Sequence, residues 1–296
     1  MIDVSERARG HLAMLLFSAV VAGSFSLGSM TANEIHPLAL TAIRFLLAAF
    51  ILGAAAMATT GVPASAFRAP WRYGVLGGLF ALYFVLMFEG LKTARPVAAS
   101  SVFTLVPLMA GGFGWLIMRQ VMTRRMFVAL LIGALGAVWV IFRGDVGAVI
   151  AFDLGRGEAV YFVGCVSHAL FTPMARKLNR GEPAVIFSLG MLVSGFVMLT
   201  VLGWSEMRAT QWLELRGLVW VTIAYLAIFA SALTFVLLQY ATVRLPSAKV
   251  LAYTYLTPSW VILLELILGH GAPPLLLGGG VVLTVVALLL LLKNEE

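Results

Sequence analysis

Apolar stretches of about twenty residues recur along the whole chain, separated by short polar breaks. They lie near residues 11–30, 37–57, 72–92, 97–118, 126–143, 157–175, 184–204, 216–239, 248–268 and 274–292. A helix needs about 20 apolar residues to cross roughly 30 Å of hydrocarbon, so each stretch is long enough to span a bilayer. A barrel strand would instead be about 10 residues of alternating polarity. The run from Val281 to Leu292 does not alternate. The pattern predicts an all-α membrane protein with ten transmembrane helices.

The polar and aromatic positions within these stretches repeat. Residues 84–107, FVLMFEGLKTARPVAASSVFTLVP, align without a gap on residues 235–258, FVLLQYATVRLPSAKVLAYTYLTP. Phe84 falls on Phe235 and Pro107 on Pro258. This predicts two five-helix units, residues 1–147 and residues 148–296. Five spans is an odd number, so the second unit is inverted relative to the first, with residues 144–156 linking them outside. Inverted repeats commonly build a substrate site at their interface, which points to transport.

Composition agrees with a membrane protein: 61% of residues are hydrophobic, 11% are charged, and the mean hydropathy is +1.02. A soluble domain is nearer half apolar and a quarter charged. The net charge of +7 suggests nucleic acid until its placement is read. With the N-terminus inside, one side carries Arg7, Arg9, Arg68, Arg72, Arg119, Arg124, Arg125, Arg176, Lys177, Arg180, Arg244, Lys249 and Lys293. The other side carries only Lys92, Arg95, Arg143, Arg156, Arg208 and Arg216. A Lys/Arg excess marks the cytoplasmic face, so both termini are expected in the cytoplasm of a multi-pass inner-membrane protein. The charge then orients the chain in its lipid bilayer, and nucleic acid is not an expected partner. The first span follows Arg7 and Arg9 as a signal peptide would, but it opens the first repeat and is expected to be retained. Cys165 is the single cysteine, so neither a disulfide framework nor a thiol pair for a metal is expected.

Each half resembles a five-helix unit of the drug/metabolite transporter superfamily, and the whole chain resembles its ten-helix EamA-like branch, the aromatic amino-acid exporters in particular. The residues that carry the likeness are Ala42-Ile43-Arg44-Phe45, Leu105-Val106-Pro107, Leu256-Thr257-Pro258 and Gly133-Ala134-Leu135-Gly136-Ala137. Many members place a Leu-Gly-Glu turn after the fourth and ninth spans. This chain reads Met118-Arg119-Gln120 and Gly269-His270-Gly271 there, so no role of that glutamate carries over. The likeness implies export of amino acids, aromatic and other neutral ones, by alternating access. It also implies that His168 occupies an aromatic position of the substrate site.

Candidate chemistry lies in polar groups within the spans, because an intramembrane ionisable group usually faces a cavity or a partner. Four qualify: Arg44, Glu89, His168 and Glu265. A structural ion pair or carbonyl cap is the ordinary reading for Arg44, solvation at the span end for Glu89, and a basic partner or proton exchange for Glu265. Lys249 stands at a span end, where snorkelling suffices. His168 has Phe171 nearly one turn further on the same face, and core packing competes with a cavity-lining role. In the fourth span Ser100, Phe103, Thr104 and Pro107 share a face; Leu251, Thr254, Tyr255 and Pro258 are the counterpart. The prolines each free a carbonyl, at Phe103 and Thr254, and are read as gating hinges. Tyr83, Phe103, Thr104, His168, Phe171, Phe235 and Tyr255 are thus the expected substrate-binding residues around a central cavity.

No phosphate loop, zinc motif or nucleophile elbow appears, and Ser167 and His168 point about 100° apart on a helix. The chain is therefore expected to be a carrier, not an enzyme, acting without cofactor or metal. Ten spans can enclose a cavity as a monomer. The alternative reading is a proton-coupled multidrug exporter that uses Glu265 or Glu89.

Overall fold

A computed structural model describes residues 4–59, 61–242, 244–245, 250, 252–271 and 273–292, and among these the regular structure is all helical, with no strand. Lys249, Leu251 and Lys293 lie outside the described residues. The first three spans are the helices Val4–Thr31, Pro37–Thr59 and Trp71–Leu91. The fourth is broken into Pro96–Phe103 and Val106–Met118, and the fifth is Arg124–Ile141. The second half follows with Arg156–Leu178, Ala184–Leu202, an eighth span from Gly217 to Thr242, a ninth ending in Tyr253–Leu256 and Thr257–Ile267, and Gly278–Leu292. Among the described residues, 8 helical stretches are long and apolar enough to cross a membrane on their own. The sixth span misses that measure because Arg156, Glu158, Arg176 and Lys177 sit at its ends. The ninth misses it because it is partly outside the described residues and its helix changes form.

Local chemistry sets the helix ends. Thr123 caps the fifth span by accepting from the Met126 amide at 3.3 Å. Pro96 stands in the first turn of the fourth span, where a missing N–H costs nothing. The two aligned prolines have the same local role. Pro107 and Pro258 each stand in the first turn of a restarted helix, after the turn at Thr104–Leu105 and after the 3-10 turn Tyr253–Leu256. A proline inside a continuous helix would clash with the preceding turn, so in both repeats the helix breaks and resumes.

Packing obeys the exchange of the two halves. The sixth span packs on the third and fourth, while the first span packs on the eighth and ninth. The second and seventh spans pack on each other, as do the fifth and tenth. Each half is completed by the opening helix of the other. Close crossings depend on glycine: a Cβ at Gly136 would lie 2.6 Å from the Gly280 carbonyl, and one at Gly77 would lie 2.5 Å from the Met191 carbonyl. The small residues in the third and tenth spans thus join helices within one chain.

Charged ties hold the ends. Arg72 and Glu182 form an ion pair of 2.6 Å with side chains 1% and 7% exposed, and Arg72 also donates to the Leu178 carbonyl. The guanidinium holds the Glu182 carboxyl below its ordinary range by hydrogen bonding to the charged form. At the other end Arg216 pairs with Glu34, joining the loop before the eighth span to the first loop. Arg244 pairs with Glu6 at 2.7 Å.

Candidate substrate site

The third and sixth spans build an aromatic cluster at mid-membrane. On the third, Phe80, Tyr83 and Phe84 share a face by the three- and four-residue spacing of a helix. On the sixth, Tyr161, Cys165, His168 and Phe171 follow one another along a single face. The tight fit of these two helices at Gly90 and Gly157, where either Cβ would meet the other's carbonyl, brings the two faces together. Ser167 Oγ donates to the Leu79 carbonyl at 2.8 Å and fixes their register. That bond occupies the hydroxyl next to His168.

The His168 ring stacks on Tyr83 at 4.4 Å between centroids and lies nearly parallel to Phe171 at 5.9 Å and 8°. Phe80 stacks on Phe171 at 5.1 Å, and Phe103 of the fourth span reaches His168 at 6.0 Å. The Tyr83 and Tyr161 hydroxyls are 3.1 Å apart and satisfy each other. Nδ1 of His168 is buried and meets no partner among the described residues. Burying a polar nitrogen without a hydrogen bond is costly, so an unpaired one in a packed core calls for a reason. Phe80, His168 and Phe171 are half-buried, whereas Tyr83, Phe103 and Tyr161 are buried. The result is a packed aromatic cluster, half-buried along Phe80, His168 and Phe171, that carries one buried ring nitrogen without a partner among the described residues.

The expected residues therefore divide. Tyr83, Phe103, His168 and Phe171 converge. Thr104 is buried at the break of the fourth span, its hydroxyl donating to the Ser101 carbonyl at 2.7 Å. Phe235 packs half-buried against the central core from the eighth span. Tyr255 is elsewhere: it packs with Ala129, Leu130 and Leu288 of the fifth and tenth spans, its ring pressed on Gly133. Pro107 and Pro258 are buried at the restarts already described. Sequence reasoning passed over Phe80 and Tyr161. Their signal was present, since Phe80 is one turn before Tyr83 and Tyr161 two turns before His168.

The other intramembrane charges each have at least one polar neighbour. Glu89 pairs with Lys92 at 2.6 Å and is half-exposed at the span end. Glu265 is buried and receives His270 Nδ1 at 2.8 Å. Arg44 takes the carbonyl-capping role: Nη2 donates to the Ala230 carbonyl at 3.2 Å and Nε to Ser231 Oγ at 3.1 Å. Both acceptors lie in Ile228–Leu233, a π-helical turn within the eighth span.

The model of the EamA-like transporter family matches this chain twice, over residues 8–142 and 155–293. The chain belongs to the EamA-like transporter family. It is 24% identical over 262 residues to a protein of Bacillus subtilis (strain 168) named Uncharacterized transporter YyaM, spanning 88% of this chain and 86% of that one. A solved crystal structure of a protein superposes on this EamA-like transporter with a TM-score of 0.70 at 21% identity, over 97% of each chain. That likeness speaks for the fold alone. Membership in this family makes the chain a membrane transport protein.

Proposed function

We propose that this EamA-like transporter exports amino acids, aromatic and other neutral ones, with related small metabolites, by alternating access through a central site between its two repeats. The observation that carries the reading is the stack of His168 on Tyr83, with the imidazole Nδ1 buried and unpartnered. Planar aromatic walls accept many apolar side chains without demanding one shape, so selectivity is broad. A free imidazole nitrogen supplies a polar contact for a zwitterion beside the mutually paired Tyr83 and Tyr161 hydroxyls. Gating falls at the breaks before Pro107 and Pro258, where the helices are already divided. The protein works as a monomer in the cytoplasmic membrane, with its termini inside.

The test is solute flux in liposomes that contain only this protein. Uptake or exchange of labelled tryptophan, phenylalanine and leucine without an imposed pH gradient is the expected result. Strict dependence on a pH gradient, with cationic dyes moved and amino acids ignored, would replace this reading with a proton-coupled multidrug exporter.

A further inference from the structure

Arg44 is a buried cation with little to hold its charge. It is 1% exposed in the second span, seven residues past Pro37, and forms no ion pair with a carboxylate among the described residues. Its Nη1 meets no acceptor among them. What holds the charge is weaker than a carboxylate: one backbone carbonyl, one hydroxyl, and the face of Phe84, whose centroid is 3.7 Å from Cζ. A cation over an aromatic face gains by attraction to the ring's electrons, and more so when desolvated. Phe84 adjoins Tyr83 at 4.6 Å, and Tyr83 adjoins His168 at 4.4 Å. The guanidinium is thus one ring removed from the stacked Tyr83 and His168. Both of its acceptors belong to a π turn, a form often found at functional sites, and Ser231 Oγ within it donates in turn to the Leu226 carbonyl at 2.8 Å.

We propose that Arg44 is the group that binds the cargo's carboxylate, and that the π turn of the eighth span occupies it until cargo arrives. Guanidinium and carboxylate match in a two-bond fork that a lone carbonyl and hydroxyl cannot equal. A carboxylate arriving beside Phe84 takes the unpartnered Nη1 first, then displaces Ala230 and Ser231. The freed turn can then relax toward an ordinary helix. Cargo binding in the first repeat would thereby be felt in the second. The cargo class follows: small molecules that join a carboxylate to a flat or apolar body. This rests on the transport reading above, and narrows it.

Binding rather than flux separates the two. Indole-3-propionate and its neutral amide differ only in the group Arg44 would hold. Their affinities for the purified full-length protein in detergent can be measured by equilibrium dialysis. The acid is expected to bind at least about tenfold tighter than the amide. Arg44→Gln should abolish that preference. Ser231→Ala removes a competitor for the guanidinium, and should tighten the acid by about three- to tenfold while leaving the amide unchanged. A purely structural Arg44 would not give that rise. If Arg44→Gln fails to fold, the acid-to-amide ratio in the native protein and the Ser231→Ala result decide. Equal binding of acid and amide, no binding of the acid, a preference that survives in Arg44→Gln, or no gain in Ser231→Ala each overturns the proposal. Acid binding intact without amino-acid flux in liposomes would overturn the export reading and leave this one standing.

Discussion

His168→Ala removes a ring held by one close stacking partner and several looser ones. Tyr83 at 4.4 Å dominates, while Phe171, Phe80 and Phe103 stand at 5.9 to 6.0 Å. Aromatic pairs are worth about 0.5–1.5 kcal/mol beyond area burial. A guest that stacks against this cluster should therefore lose about that much, which weakens apparent affinity for tryptophan by about 2- to 13-fold. The assay is the concentration dependence of labelled tryptophan flux in liposomes, normalised to folded protein recovered from the membrane. Folded yield should not fall by half, because the ring is only half-buried and its Nδ1 has no partner to lose. Phe50→Ala, at a side chain 76% exposed on the second span, is the control and should leave affinity alone. Equal transport constants for the native protein and His168→Ala, across several amino acids, would remove His168 from the site and the stacking argument with it.

Three further outcomes are expected. In a Cys165→Ala background, single cysteines at Arg124 and Asp145 should label from opposite sides of the membrane with an impermeant reagent; labelling of both from one side would defeat the inverted topology. Glu182→Gln should lower stability by about 2 kcal/mol at neutral pH, as expected for losing a hydrogen bond between charged groups. Because the folded Glu182 carboxyl sits below its unfolded value of about 4.3, its contribution is present above that pH. It is lost as pH falls through the folded value, so the native protein should weaken in acid while thermal melts of Glu182→Gln show a flatter acid limb. Glu265→Gln should leave amino-acid flux intact and reduce folded yield through loss of the His270 tie; selective loss of proton-linked flux in a well-folded variant would reverse that assignment.

Most of the architecture was legible because a bilayer imposes one length on every span and a duplication repeats its own landmarks. Pro107 and Pro258 were found by alignment, and each restarts a helix at its expected place. What periodicity supplies is a face, and a face does not name its neighbour. Tyr255 shares the helix position logic of the fourth-span residues, yet its ring goes to Gly133 on the fifth span, where a missing side chain leaves room. Phe80 was overlooked because a phenylalanine in an apolar span carries no contrast of its own. The π turn was beyond reach for the same reason: Ile-Phe-Ala-Ser-Ala-Leu reads as any membrane helix. Only the arginine that it receives from another span distinguishes it.

That arginine also sets a problem of timing. Its acceptors are Ala230 and Ser231, 186 and 187 positions further along the chain. At about 5–20 residues per second, a ribosome needs roughly 10 to 40 s to deliver them after Arg44 has emerged. For that interval the second span holds a cation in a half-built membrane domain with no partner from the eighth. Until then the charge can be met by snorkelling, lipid headgroups or retention in the insertion machinery. Release of the second span into lipid should therefore lag its synthesis and coincide with arrival of the eighth, making this one contact a checkpoint for assembly.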